Sequence, residues 1–445
     1  MKMPEVYEMF LESAAELAPS IVLALLPADS PEPGVSGVQA LLRESGLAVE
    51  GFEIASAPRQ QGAIWRQTAS IRFPERDDPM RVDVWLEKAP EDHPPTELET
   101  SLTDDERAAI DGAKWVIGTE TQFGERALWD YHRQLQILAV AAPDAIIVVD
   151  PASTAVHSAA WVRDVASSSV PPSPLVMFRM HAVGPDEGGN GWLHTHGLLR
   201  CGTVELEMVD IPPVGAESLG DLMNAVAMAF LDLGTPPPGE TFAVGQGLEL
   251  VWLPWEEAIR HVPKGMWSAD EDREQGHNLP SGILLRPKSG LLVKRYGNPA
   301  KYARALENNP VLQLSTTETD RMAALARERF ERFAEIQQRF GGDTDDWVFL
   351  VKLGLPIDNP AMLDDDDDEP AREHLWFQVH SIADDQLDAT LINEPYGISD
   401  LHEGDRGSRS LEHMSDWAIL SERGRFDPDQ IFHLERALAA EDASA

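Results

Sequence analysis

Hydrophobic residues in this sequence occur in short runs of two kinds, and this patterning limits the fold more than any other feature. Ile21–Leu26 is a compact apolar run followed by a proline, which is typical of a buried strand. Ile64–Phe73 and Met80–Leu86 alternate apolar and polar residues, so one face of each strand is expected in a core. Ala216–Leu233 carries apolar residues at helical spacing. The patterns predict an α+β protein with N-terminal α/β sandwich-like domains followed by a small β-rich, barrel-like C-terminal module.

The chain has 445 residues, enough for several domains, and its polar stretches indicate where these domains meet. Pro90–Thr100 has proline and acidic residues without an apolar pattern and is predicted to be a linker. Thr103 followed by Glu106 has the spacing of a capping box that begins a helix. The acidic run Asp364–Asp368 predicts a solvated loop. The predicted divisions are a small α+β domain at 1–90, a second α/β domain at 103–260, an irregular connector with a long helix at 261–340, a β-rich domain at 341–425, and a C-terminal helix and tail at 426–445.

The charge of the chain narrows its expected partners. The formal net charge is −40, from 76 acidic and 36 basic residues. A negative field repels nucleic acids and anionic membranes, so neither is expected to bind, whereas a basic protein partner would be attracted. The single cysteine, Cys201, excludes a disulfide within the chain and a zinc cluster made of thiolates. The lack of a long apolar stretch and of a signal-peptide pattern indicates a cytoplasmic protein.

The last quarter of the chain carries an ordered set of strand and turn residues. The order is Glu373–Val379 (EHLWFQV), then Asn393-Glu394-Pro395, then Gly404-Asp405, then Ser415-Asp416-Trp417. This order resembles the YegJ-like domain of unknown function, a small bacterial β-rich module. The region upstream resembles an uncharacterised bacterial region that is often fused to that module and has a His-Thr-His-Gly segment. Neither resemblance implies an activity or a catalytic residue.

The clearest candidate site lies in the segment Trp192–Glu207 (WLHTHGLLRCGTVELE). If Trp192–Leu199 is a strand, His194 and His196 point to the same face, because side chains alternate along a strand. A turn is expected at Arg200–Thr203, where a glycine is present. The segment therefore predicts a hairpin that presents two imidazoles on one face.

Two carboxylates on the second strand of this hairpin complete the candidate site. The predicted turn places Glu207 nearly opposite His196, with Glu205 diagonally near on the same face. Two imidazoles and a carboxylate are common ligands of zinc and other divalent metals. The same pattern also fits histidines hydrogen-bonded to carboxylates on a half-buried strand. The sequence thus names His194, His196, Glu207 and Glu205 as candidate metal ligands and leaves a structural role open.

The sequence alone does not determine the function. The P-loop and the G-x-G-x-x-G, G-x-S-x-G and H-E-x-x-H motifs are absent, so nucleotide-dependent chemistry has no support. Charge and resemblance favour a non-enzymatic protein-interaction protein without a cofactor, with an immunity-like or stress-associated role. The alternative is a metal-dependent hydrolase that uses His194, His196 and Glu207 with zinc or another divalent metal.

Overall fold

A computed structural model describes residues 18–54, 62–90, 102–184, 189–245, 247–261, 280–288, 295–307, 316–343, 346–358 and 372–444. The chain divides into two compact units, Met1–Leu314 and Ser315–Ala445. All but the first residue of the predicted linker Pro90–Thr100 lies outside the described residues, as does the predicted loop Asp364–Asp368.

The first unit contains two seven-stranded sheets. The strands of the first sheet are β1 (Ser20–Leu25), β2 (Ala48–Ile54), β3 (Trp65–Arg72), β4 (Met80–Lys88), β5 (Trp115–Thr121), β6 (Ile147–Asp150) and β7 (Ala155–Ser158). Their order is β2-β3-β4-β5-β1-β6-β7, and every pairing is antiparallel. Because β4 pairs with β5, this sheet continues across the interval between the predicted divisions 1–90 and 103–260.

Helices cover both faces of the first sheet. They are α1 (Val35–Glu44), α2 (Asp104–Ile110), α3 (Ala127–Ala141) and α4 (Ala159–Ser167). Thr103 and Glu106 form the predicted capping box at the start of α2. On one face, α3 packs between α1 and α4, and Gln134 of α3 donates hydrogen bonds to buried backbone carbonyls of β1 and β5. On the other face, Ile110 of α2 packs against Leu25 and its neighbours.

The second sheet carries the candidate site. Its strands are β8 (Arg179–Val183), β9 (Gly191–His196), β10 (Glu205–Ile211), β11 (Phe242–Gly245), β12 (Leu248–Pro254), β13 (Ser281–Lys288) and β14 (Arg295–Gly297). The order is β11-β12-β13-β10-β9-β8, with β14 also paired to β13; β10 and β13 are parallel. The other described helices of this unit are α5 (Ala216–Leu233), with the bounds that the sequence predicted, α6 (Trp255–Ala258) and α7 (Ala303–Glu307). Gly220 of α5 packs against Met180 on one face, and the opposite face has an apolar cluster that includes Trp192 and Ile283.

The second unit is a six-stranded antiparallel sheet with helices on one face. Its strands are β15 (Trp347–Pro356), β16 (Arg372–Ala383), β17 (Gln386–Leu391), β18 (Arg406–Ser410), β19 (Met414–Ser421) and β20 (Gly424–Phe426), in the order β18-β17-β16-β15-β19-β20. Its helices are α8 (Thr316–Glu328), α9 (Phe330–Phe340) and α10 (Ile431–Ser444).

The α+β class predicted from the sequence is confirmed, whereas the barrel-like form of the C-terminal module is wrong. None of the described sheets closes on itself. In the second unit, Phe333 and Ile431 from the helices pack on Phe377 and Trp417 of the sheet. The helices thus bury the apolar face that a barrel would have to enclose by closure. Among the described residues, no helix is long and apolar enough to cross a membrane.

Candidate metal centre

Three histidines lie on one face of the second sheet, at the edge formed by β8. β8 and β9 pair with His181 directly opposite His194 and with Arg179 opposite His196. Directly opposed residues share a face of the sheet, and alternation puts His194 and His196 on the same face of β9. The pairing therefore brings a third imidazole to the two that the sequence placed together.

The three imidazoles are close enough to share one metal ion. Each ring offers a nitrogen, and the three nitrogens lie within 4.8 Å of one another. The ring centroids are 5.5 Å apart for His181 and His194, 4.8 Å for His181 and His196, and 4.9 Å for His194 and His196. In a tetrahedral site with metal–nitrogen bonds of about 2 Å, neighbouring ring centroids lie about 5 Å apart. The ring centroids thus have the spacing of a tetrahedral centre.

The three histidines differ in burial. The side chain of His194 is buried, whereas His181 and His196 are half-buried. Three protein ligands are typical of metal sites whose fourth position binds water or a substrate. Among the described residues, His181, His194 and His196 are the group of three metal-ligating side chains whose ligand atoms lie this close together.

His181 was missed in the sequence because its approach depends on strand register. It lies 13 positions before His194, and only the pairing of β8 with β9 places the two opposite each other. No local spacing reveals such a pairing. The sequence signal that would have identified His181 is a histidine on a strand that neighbours the His-Thr-His segment.

Glu207 lies on the other side of His194 from His181. β10 pairs with β9 so that Glu207 is directly opposite His194, two residues away from the predicted position opposite His196. The shift arises because the connection contains a 3-10 turn, Leu199–Cys201, and is longer than the predicted turn. The buried Glu207 carboxylate accepts a hydrogen bond of 2.9 Å from Nε1 of Trp192. It therefore flanks the triad, and the structure does not place it among the three clustered ligand nitrogens.

Glu205 holds the connection that follows His196. Its carboxylate accepts hydrogen bonds from the Thr195 hydroxyl at 2.7 Å, the Gly197 amide at 2.9 Å and the Leu199 amide at 3.2 Å. Burial raises the pKa of Glu205 to about 7, although these hydrogen bonds oppose the rise. These hydrogen bonds hold the hydroxyl and backbone amides of residues 195–199 in place, so Glu205 stabilises the turn.

The glycine of the His-Thr-His-Gly segment is required by close packing. Gly197 has a φ of 117°, and a Cβ atom there would lie 2.4 Å from the carbonyl oxygen of Met177. The same connection holds Cys201, whose thiol contacts the Gly197 carbonyl at 3.8 Å. Burial raises the pKa of Cys201 to about 12, which favours the protonated thiol near neutral pH.

A buried ion pair anchors the connection to the first sheet. Arg200 binds Asp150 through two hydrogen bonds of 2.9 and 2.7 Å, and both side chains are almost completely buried. Arg200 also donates to the Met177 carbonyl and the Ser20 hydroxyl, and Tyr131 donates to Asp150. Because Arg200 follows His196 by four residues, this network fixes the end of the segment that carries the histidines.

Family models match three stretches of the chain. Residues 38–172 match the N-terminal domain and residues 180–285 the C-terminal domain of the protein of unknown function DUF4026. Residues 343–428 match DUF2314, described as an uncharacterized protein conserved in bacteria. The chain carries both DUF4026 domains and a DUF2314 domain. All three histidines lie in the DUF4026 C-terminal domain, and these matches give only domains of unknown function.

The comparisons extend no further. No curated protein and no solved structure matches the chain significantly. The geometry of the site is therefore the basis for any statement about its chemistry.

Proposed function

We propose that the DUF4026 C-terminal domain binds one divalent transition-metal ion, of which zinc is the best candidate. The observation that carries this proposal is the convergence of His181, His194 and His196, with ligand nitrogens within 4.8 Å of one another. Imidazole is a preferred ligand of zinc and its first-row neighbours, whereas magnesium and calcium prefer oxygen ligands.

The ligand set also favours a class of chemistry. Three histidines leave a fourth position on a tetrahedral ion for water or a substrate oxygen. Zinc held by three histidines lowers the pKa of water bound at the fourth position and polarises carbonyl or phosphoryl oxygens. Metal-assisted hydrolysis is therefore the reaction class that we propose for the site. In that reaction the chain's own residues hold the ion, and the buried Glu207 carboxylate stabilises the charge near His194.

The wider ligand set of the sequence analysis, with Glu207 and Glu205, stays a prediction. Glu207 is the nearer candidate, since it lies directly opposite His194 on the same face. Replacement by glutamine keeps its size and hydrogen-bonding ability but weakens metal ligation. If Glu207 is a ligand, Glu207→Gln lowers metal affinity as strongly as loss of a histidine. If it only supports the site, affinity falls less, by about 10-fold to 100-fold.

The experiment for this proposal is elemental analysis of protein purified without a histidine tag. We expect about one equivalent of bound metal in the wild-type protein and none in His194→Ala/His196→Ala. The control is His374→Ala, which removes a strand histidine in the second unit and should leave metal content unchanged. Metal-free wild-type protein that also fails to take up zinc would contradict the proposal.

We propose as a second candidate that the acidic surface selects basic protein partners. The net charge of −40 supports this interaction, with or without an activity at the metal centre. An electrostatic complex should weaken steeply between low and physiological salt, because salt screens exposed charges. A complex that resists salt would contradict the electrostatic proposal. An immunity-like or stress-associated role and the resemblance of the DUF2314 domain to YegJ-like modules stay proposals of the same kind.

A further inference from the structure

Thr154 reaches the candidate metal centre from the first sheet. It lies between β6 and β7, and its Oγ1 atom is 3.0 Å from Nε2 of His181. We propose that Thr154 is a positioning residue of this centre: its hydroxyl accepts a hydrogen bond from the Nε2–H of His181, which leaves Nδ1 of that ring to bind the metal. The inference rests on the proposed metal-binding function and names the orientation that the third ligand adopts.

The direction of this hydrogen bond follows from the proton count. A threonine hydroxyl has one proton to donate, and the Oγ1 of Thr154 donates it to the carbonyl oxygen of Ser153 at 2.7 Å. We assign the hydroxyl proton to this shorter contact, so that toward His181 the same oxygen accepts and Nε2 carries the proton. A neutral imidazole that is protonated on Nε2 has its lone pair on Nδ1. Histidines that bind metals commonly donate their other ring N–H in this way, which fixes both the tautomer and the ring orientation.

The backbone at Thr154 is held in a conformation that threonine rarely adopts. Its φ is 57°, in the left-handed region that disfavours a β-branched residue. Strained residues persist where the surroundings hold them, and they concentrate at functional sites. Here the Asp150 carboxylate accepts hydrogen bonds from the amides of Ala152 and Ser153, just before Thr154.

The same carboxylate links this turn to the histidine segment. Asp150 binds Arg200, which follows the His-Thr-His-Gly segment in the sequence. One buried group thus fixes the turn that carries Thr154 and the connection that follows His196. The hydroxyl is held against His181 by the network that also anchors the end of the β9 segment.

The first test measures the tautomer in the metal-free protein, without any substitution. The protein is labelled with ¹⁵N-histidine, and the ring nitrogen signals of His181 are assigned by their loss in His181→Ala. At about pH 8, above the ordinary titration range of imidazole, the shifts of the two nitrogens distinguish a protonated from an unprotonated atom. We expect Nε2 of His181 to be protonated and Nδ1 to be unprotonated.

The second test measures zinc affinity in two matched variants. Thr154→Val keeps the shape of the side chain and removes the hydroxyl, whereas Thr154→Ser keeps the hydroxyl. We expect zinc to bind about 10-fold or more weakly to Thr154→Val, with mixed tautomers of His181. Thr154→Ser should retain the wild-type tautomer and an affinity close to that of the wild-type protein.

The tests distinguish failure of the role of Thr154 from failure of the proposed metal-binding function. Zinc binding with the His181 proton on Nδ1, or equal loss of affinity in both variants, would overturn the role of Thr154 and leave the proposed function standing. A protein with Nε2-protonated His181 but without metal affinity would overturn the proposed function and, with it, the assignment of Nδ1 as a ligand.

Discussion

Histidines lie on strands in both units, but the side chains that contact them differ. In the second unit, His374 Nδ1 lies 2.8 Å from the Ser415 hydroxyl, and His380 Nε2 lies 2.8 Å from the Thr390 hydroxyl. In the first unit, three imidazoles from two adjacent strands face one another. The comparison teaches that strand order and register decide whether a strand histidine lies beside a hydroxyl alone or beside further imidazoles as well.

The largest effect is expected from breaking the buried ion pair between Asp150 and Arg200, which anchors the connection after His196. Asp150→Ala leaves Arg200 buried without its carboxylate, which should lower the free energy of unfolding of the first unit by about 3–5 kcal/mol. Hydrogen exchange followed by mass spectrometry resolves peptides from each unit and should show the loss in β9 and β10. The second unit should keep its protection.

The matched control for that substitution lies in the C-terminal sheet. Asp388→Ala removes an ion pair with Arg406 in which both side chains are exposed, so no measurable change in stability is expected. Equal losses of stability in the two variants would mean that the buried ion pair of Asp150 and Arg200 stabilises the protein no more than the exposed pair of Asp388 and Arg406.

The second effect is a pH dependence in the C-terminal sheet, far in sequence from the candidate ligands. Burial raises the pKa of Asp416 to about 6, although the Trp417 amide donates a hydrogen bond to this carboxylate. Between about pH 4 and pH 6, Asp416 therefore binds more protons in the folded protein than in the unfolded chain, and its contribution to stability falls as pH rises. The contribution of Asp416 to this fall is about 2–3 kcal/mol.

Asp416→Asn tests this sign directly, because asparagine keeps the hydrogen-bond acceptor and does not titrate. Urea unfolding at about pH 4 and pH 7 should show a smaller loss of stability in the variant than in the wild-type protein. A wild-type second unit that gains stability relative to Asp416→Asn over this interval would contradict the assignment.

The smallest of these effects concerns the glycine that ends the His-Thr-His-Gly segment. Gly197→Ala adds a methyl group against the Met177 carbonyl and should lower the free energy of unfolding by about 1–3 kcal/mol. Gly404→Ala in the C-terminal unit is the control, since Gly404 also has a positive φ, of 91°, but has no atom within 4 Å of the added carbon. Thermal unfolding should show a larger decrease for Gly197→Ala. An equal decrease would mean that backbone conformation alone, without the clash, explains the glycine.

Local patterns predicted individual elements well. The alternation of Ile64–Phe73 and Met80–Leu86 corresponds to β3 and β4, and the apolar stripe of Ala216–Leu233 is α5. Thr103 begins α2 with the capping box that its spacing indicated. These features depend on residues that are neighbours in the chain, so the sequence contains their physical cause.

Contacts between distant segments could not be predicted in the same way. The hairpin was predicted, but its register was wrong by two residues because the 3-10 turn lengthens the connection, so Glu207 faces His194. His181 and Thr154 approach the site only through strand order and through the network around Asp150. The sequence therefore named two of the three clustered imidazoles and could not name the third.

A zinc competition titration that compares wild-type protein, His181→Ala and His374→Ala tests the central claim most directly, because His181 joins the site through the fold alone. We predict about one zinc per wild-type chain, unchanged binding in His374→Ala, and binding weaker by more than about 100-fold in His181→Ala. Wild-type affinity in His181→Ala would contradict the three-histidine centre.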